Sequence, residues 1–243
     1  MKNKNKWKPS KFIKNNSGKW VANSNQVSFS SLYLCNLYIA QYEKVIKKYS
    51  KGLLLDLGCG NVPYYEIYKD NVIDNVCVDW GNSLHKNPYL DIEADLNKPF
   101  PFEDDSFDSI LCADVLEHIA EPHQFINEIG RVLNPGGNAI IMVPFLYWLH
   151  EEPHDYFRYT KHALKHLVEK SGLEVLELNE YGLYSDVLLD IFSKGLPRSI
   201  LAYRFILAMK WFFKSIFKYL NHKIGKRFPL GYIMVLSKKS QEN

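Results

Sequence analysis

Leu53-Leu54-Leu55-Asp56-Leu57-Gly58-Cys59-Gly60-Asn61 is the stretch that decides the fold. Its leucines run on without polar alternation, the pattern of a central parallel strand buried on both faces. An acid and two glycines follow, where such a strand must turn sharply. Gly58 and Gly60 carry no Cβ and tolerate positive φ, so bare backbone can come close to a ligand there. Asp56, at the strand's carboxyl end, is placed to accept hydrogen bonds from an amino or cationic group. A second strand, Asn75-Val76-Cys77-Val78-Asp79-Trp80, ends in a carboxylate about 20 residues on, the spacing at which an acid meets ribose hydroxyls. The turn lacks the third glycine of a dinucleotide fingerprint, and Val62-Pro63 stand where a pyrophosphate-binding helix would begin. The expected ligand is a nucleoside without a pyrophosphate.

Further along, the chain reads as loop through Asn82 and Pro88, then reaches Ile92-Glu93-Ala94-Asp95-Leu96, a short third strand. There Asp95 can accept from an exocyclic amine while Leu96 covers one face of a purine and Trp80 the other. Phe102 to Cys112 reads as a fourth strand, and Ala113-Asp114-Val115-Leu116-Glu117-His118-Ile119 leaves it on the ligand side. Glu121-Pro122 starts a helix whose inner face carries Phe125, Ile126, Ile129, Val132 and Leu133. Asn134-Pro135-Gly136-Gly137 stops it before a fifth buried strand, Ala139 to Pro144. Strand and helix alternate from Leu53 to Pro144, which predicts a doubly wound, mostly parallel sheet with ligands beyond the strands' carboxyl ends.

On these residues the chain resembles class I S-adenosylmethionine-dependent methyltransferases, and within them the type 11 group, some of whose members occur among bacterial cell-surface polysaccharide genes. Leu54-Leu55-Asp56-Leu57-Gly58-Cys59-Gly60-Asn61 is similar to that class's motif I. The resemblance covers roughly Gly52 to Gly182 and the final strand. It implies a Rossmann-like sheet of seven strands in the order 3-2-1-4-5-7-6, with the last strand antiparallel. It implies S-adenosylmethionine as cofactor, held by Asp56, Gly58, Gly60, Asp79, Trp80, Asp95, Leu96 and Ala113. The reaction implied is methyl transfer to a small-molecule or glycan acceptor, most concretely O-methylation of a sugar in cell-surface polysaccharide biosynthesis. The alternative is a non-catalytic S-adenosylmethionine-binding or membrane-associated module that keeps the fold, since fold does not certify function.

Composition fits one such domain. At 243 residues and 47% hydrophobic the chain can bury a substantial core, and nothing points to two. Cys35, Cys59, Cys77 and Cys112 form no CxxC pair, the pattern of reduced intracellular thiols. A net charge of +3 is too small to imply nucleic acid. Residues 1–29 read as a basic polar arm, lysines alternating with Asn and Ser, solvated and in part disordered. They lack the apolar run of a secretory signal, so a cytoplasmic location is expected. Trp7, Phe12, Ile13 and Trp20 within the arm also suit an anionic membrane surface. Residues 30–243 form the domain, opening with a helix from Ser30 to Tyr49.

The segment most loaded with chemistry is His150-Glu151-Glu152-Pro153-His154-Asp155-Tyr156-Phe157-Arg158-Tyr159-Thr160. Its first five residues match the HExxH zinc pattern, but that pattern works on a helix, and Pro153 disrupts a helical turn there. No metal is expected at His150 and His154. The segment reads instead as a loop across the mouth of the ligand site, resembling one recurrent in the type 11 group, with Thr160 capping the next helix. His150, His154 and Asp155 are the candidate bases for a sugar hydroxyl. Arg158 and Asp155 read equally as substrate contacts or as struts.

Leu173 to Leu178 alternates as a sixth strand, and Leu230 to Leu236 supplies the seventh. The insertion between them, 183–229, is aromatic and basic from Leu196 on. Lys210, Lys214 and Lys218 are spaced by four, which predicts one polar stripe on an otherwise apolar helix. Arg204, Lys210 and Lys214 interrupt the run before a span of about 20 apolar residues accumulates. A cap over the substrate and a helix lying in a membrane interface both fit; the lysine stripe opposite Trp211 and the phenylalanines favours the membrane, on the inner face of the cell membrane.

Overall fold

The central strands of the main sheet are apolar on both sides because helices cover both of its faces. The computed structural model describes residues 1–81 and 87–240; the part of the expected loop at 82–86 lies outside the described residues. The elements in chain order are β1 (Phe12–Lys14), β2 (Trp20–Ala22), α1 (Phe29–Tyr49), β3 (Gly52–Leu57), α2 (Tyr65–Tyr68), β4 (Val72–Asp79), β5 (Ile92–Glu93), β6 (Phe107–Ala113) and α3 (Pro122–Val132). Then follow β7 (Leu133–Pro144), α4 (Lys161–Val168), β8 (Leu173–Tyr181), α5 (Tyr184–Gly195), α6 (Ile200–Phe212), α7 (Lys214–Ile224) and β9 (Gly231–Lys238).

The seven-stranded sheet runs β5-β4-β3-β6-β7-β9-β8. Counted from β3 as the first strand, that is the order 3-2-1-4-5-7-6, and β9 pairs antiparallel with both β7 and β8. One face packs Leu54, Leu111, Ile140 and Val235 against α1 and a group of tyrosines, Tyr38, Tyr42, Tyr64 and Tyr68. The other packs Leu55, Leu57, Ile110 and Ile141 against Phe125 and Ile129 of α3 and Leu164 of α4. Local signals hold where they are specific. Pro122 opens α3, and the Thr160 hydroxyl accepts from Ala163 N–H at 3.1 Å to cap α4. The stop over Asn134–Gly137 becomes the irregular start of β7, with Gly136 at φ +76°. Cys35, Cys59, Cys77 and Cys112 are buried free thiols.

Two sequence expectations are corrected. The amino arm is solvated only in part: β1 and β2 form a hairpin that buries Phe12 and Trp20 against α1 and Tyr64. The Met1 amine pairs with Asp91 at 2.9 Å, Lys4 with Asp74 at 3.1 Å, and Trp7 Nε1 donates to Val62 O at 3.2 Å. Its lysines lie along the rim while the aromatics between them face inward, so Phe12 and Trp20 meet no lipid. The lysine stripe of the insertion is also broken. Phe213 ends α6 and begins α7, so Lys210 and Lys214 lie on different helices. Lys210 turns inward, 2.8 Å from Tyr33 Oη and 3.1 Å from Asp186.

Candidate functional site

The turn after β3 has the shape its glycines predict. Gly58 sits at φ +63°, and a Cβ there would lie 2.3 Å from Val115. Gly60, at φ +47°, faces open space. The Asp79 carboxylate at the end of β4 clasps this turn, accepting from Gly60 N–H at 2.8 Å and Trp80 N–H at 2.7 Å. Burial pushes the Asp79 carboxyl up, against the pull of those two N–H groups. Asp56 is buried beneath the turn, where its Oδ2 accepts from Tyr68 Oη at 3.1 Å. Burial raises the Asp56 carboxyl to about 7; the Tyr68 hydroxyl opposes this and the Asp79 charge adds to it.

The remaining expected cofactor residues lie along the same carboxyl edge of the sheet. Asp95 follows β5, held by Asn97 N–H at 3.0 Å and Lys98 at 3.3 Å, with its carboxyl lowered chiefly by that N–H. Leu96 is buried beside it, Ala113 ends β6, and Trp80 is exposed with its ring edge-on to His154 at 4.9 Å. These residues fit a nucleoside. Gly60 leaves room against the backbone, and each Asp79 oxygen holds one N–H and keeps acceptor capacity for a ribose hydroxyl.

Beside the turn opens a cavity of about 410 Å³, whose wall includes Ser10 and Lys11 of the arm, Asn61, Asp114, Glu117 and His150. Sequence reasoning passed over Glu117. It sits on a turn of 3-10 helix, Leu116–His118, directly after β6, and is 0% exposed. Neither of its carboxylate oxygens has a hydrogen-bond partner. Burial pushes the Glu117 carboxyl up. The signal was present as an adjacent acid and imidazole, Glu117-His118, just past a buried strand's carboxyl end.

The loop 145–160 crosses this cavity without a helix. Among the expected catalytic residues only His150 lines it. His150 lies between two acids, Nε2 at 3.7 Å from Glu117 and Nδ1 at 3.3 Å from Asp155. Burial works against the imidazolium, but the neighbouring carboxylates outweigh it and the His150 pKa is raised. Asp155 and Arg158 are bound to each other. Arg158 grips both Asp155 oxygens, at 2.6 and 2.7 Å, and also donates to Trp148 O at 2.9 Å and Phe157 O at 2.8 Å. The Asp155 side chain, 2% exposed, has no free edge for a substrate. His154 turns away from the cavity, with Nδ1 at 3.0 Å from Tyr156 Oη.

The doubly wound sheet and the glycine turn clasped by Asp79 match the class I S-adenosylmethionine-dependent methyltransferases, which implies S-adenosylmethionine as cofactor. More narrowly, residues 55–141 match the family model described as a methyltransferase domain. The ubiquinone biosynthesis O-methyltransferase of Rickettsia prowazekii is 27% identical over 228 residues, covering 75% of this chain and 87% of the relative. The uncharacterized protein MJ0638 of Methanocaldococcus jannaschii is 29% identical over 156 residues, and the match spans 57% of each chain. Among solved structures, a SAM dependent methyltransferase from Archaeoglobus fulgidus superposes with a TM-score of 0.55 at 15% identity, covering 87% of this chain and 95% of that one. That last likeness concerns the fold.

Proposed function

We propose that this chain methylates a hydroxyl of a sugar-like acceptor, in the synthesis of a cell-surface glycan. The observation that carries the reading is the cavity. It adjoins the glycine turn at Asn61, and its wall is dense in polar groups, with the Glu117 carboxylate bare inside it. An apolar acceptor would leave those groups unpaired, whereas a polyhydroxylated one satisfies them. The name of the Rickettsia relative supports oxygen as the accepting atom.

The cofactor, once bound, supplies an electrophilic methyl on a sulfonium. In this reading Asp79 takes the ribose hydroxyls, Asp95 and Leu96 the adenine with Trp80 on its other face, and the Gly58–Gly60 backbone the methionine end above Asp56. The cavity holds the acceptor hydroxyl in line with the methyl, and alignment of this kind is worth effective molarities of roughly 10⁵ M or more. The hydroxyl's proton leaves beside the cluster of Glu117, His118 and His150.

The insertion is read as a membrane contact. No helix of the described residues is long and apolar enough to cross a membrane. Leu201, Phe205, Trp211, Phe212, Ile216 and Tyr219 are nevertheless exposed on α6 and α7, with Arg204, Lys214 and Lys218 among them. Apolar side chains in the acyl boundary with cations at anionic head groups, about 1 kcal/mol each, would place the cavity near lipid-linked glycan intermediates.

The test is calorimetry with S-adenosylmethionine and with NAD, then mass spectrometry of glycan acceptors incubated with protein and cofactor. Cofactor binding with a methylated sugar is the expected result. Methylation of quinone-precursor phenols alone overturns the acceptor, and binding without methylation of anything leaves the non-catalytic module.

A further inference from the structure

We propose that Glu117, His118 and His150 form a binding site for one divalent first-row transition cation in the wall of the cavity. One ligand atom from each lies within 4.8 Å of the other two. His118 Nε2 and His150 Nε2 each stand 3.7 Å from Glu117 Oε1. That is too long for an N–H···O bond. It is close to the spacing around an ion: donors at about 2.0–2.1 Å from a tetrahedral zinc lie about 3.3 Å from one another. Shifts of a few tenths of an ångström bring each imidazole to that distance from Glu117, and the two imidazoles, within 4.8 Å of each other, would draw together around the ion.

The second observation is the bare carboxylate. Glu117 is 0% exposed, faces the cavity and has no hydrogen-bond partner on either oxygen. Buried carboxylates are paired or ligate a metal, because an uncompensated one is costly. Both imidazoles are also oriented as ligands. His118 Nδ1 is 2.8 Å from the carbonyl oxygen of His154, which can only accept, so its proton sits on Nδ1 and the Nε2 lone pair points into the cluster. His150 Nδ1 lies 3.3 Å from Asp155 and 3.4 Å from Arg158 Nη2; the tautomer that shares an Nδ1 proton with Asp155 leaves Nε2 open toward Glu117. A carbonyl or carboxylate behind each ligating ring is the arrangement that fixes metal-bound histidines.

Two imidazoles and one carboxylate suit zinc, iron or manganese rather than calcium or magnesium, and three protein ligands leave a position open to the cavity. The zinc pattern discounted in the sequence paired His150 with His154; here His154 contributes only its backbone oxygen, behind His118. The role of the cation deepens, and rests on, the function proposed above. Bound to it, the acceptor hydroxyl gives up its proton to water in the cavity. Its oxygen pair forms the bond to the methyl, and the pair of the broken carbon–sulfur bond returns to sulfur.

The whole chain, stripped with chelator and dialysed, is titrated with Zn²⁺ alone by calorimetry, with elemental analysis of the product. One zinc per chain is expected. Glu117→Gln, equal in shape and uncharged, should weaken binding at least about tenfold, and His154→Ala should leave it unchanged. His118→Ala serves if circular dichroism shows Glu117→Gln unfolded. Absence of stoichiometric zinc in the wild type, or wild-type affinity in the folded variants, overturns the site. Zinc binding is read without any methyl transfer, so a failed acceptor assay does not touch it. Methylation that proceeds equally well after chelation overturns the cation's role.

Discussion

Replacing Arg158 with Met keeps the aliphatic stem and removes the guanidinium that holds the loop across the cavity. Asp155 would keep the His150 N–H at 2.9 Å and the His150 imidazole at 3.3 Å, while its side chain stays 2% exposed. Breaking a buried ion pair from one side costs about 3–5 kcal/mol. Arg158 has one edge in water, its side chain being 22% exposed, so the low end, about 3 kcal/mol, applies. For a chain of this size each kcal/mol moves the melting temperature by about 2–4 °C, giving a fall of roughly 6–12 °C by circular dichroism at pH 7. The companion variant Asp155→Asn removes the stranded charge. The double variant should therefore be more stable than the two single losses added together, by about 1 kcal/mol or more. A fall under 2 °C for Arg158→Met, or strict additivity in the cycle, would refute the strut.

Asp56, with its carboxyl raised to about 7, keeps its proton where the unfolded chain has lost it, so its contribution to stability is full below about pH 4 and fades as pH rises through 7. Asp56→Asn should accordingly gain on the wild type in thermal melts between pH 5 and 8; parallel curves would remove the assignment. Gly58→Ala meets Val115 and should lower the melting temperature more, while Gly60→Ala, strained only by its φ of +47°, should lower it less and lose S-adenosylmethionine affinity; equal effects of both on both readouts would argue against a ligand at the turn. Asp79→Ala is expected to weaken S-adenosylmethionine binding at least tenfold, since charge-assisted hydrogen bonds contribute about 1.5–3 kcal/mol each; calorimetry showing unchanged affinity removes the ribose role. Lys214→Glu with Lys218→Glu should abolish sedimentation with anionic liposomes, whereas Lys210→Met should cost stability by leaving Asp186 only the Tyr33 hydroxyl and Leu183 N–H and should leave sedimentation intact; the reverse pattern would refute the reading of α6 and α7.

The central sheet was legible because its information is local. A continuous apolar run, an acid and two glycines leave few other structures, and Pro122 and Thr160 mark helix starts by fixed chemistry. The strand order came from resemblance, since periodicity does not say which strands are neighbours. The hairpin of β1 and β2 was illegible because three residues per strand are too few for alternation to show against surrounding lysines. Lys210 was misread because spacing by four assumes an unbroken helix, and the break at Phe213 has neither proline nor glycine to announce it. At the site, His150 was found through a motif that the fold does not use. Its partners Glu117 and His118 come from another loop, and that meeting exists only in three dimensions.

The amino-terminal hairpin has a consequence for how this protein diversifies. Ser10, Lys11, Gln26, Val27 and Ser28 stand in the cavity wall, yet all precede the matched methyltransferase domain at 55–141. The residues proposed to hold the cofactor, save Asp56 and the glycine turn that begin the domain, follow much later in the chain. One part of the cavity wall is thus written ahead of the proposed cofactor residues, while Asp114, Glu117, His118 and His150 supply another part from beyond the glycine turn. Exchanging the first 29 residues between related chains would change that one wall and leave the proposed cofactor residues untouched, so the leading segment acts as a removable jaw facing a fixed one.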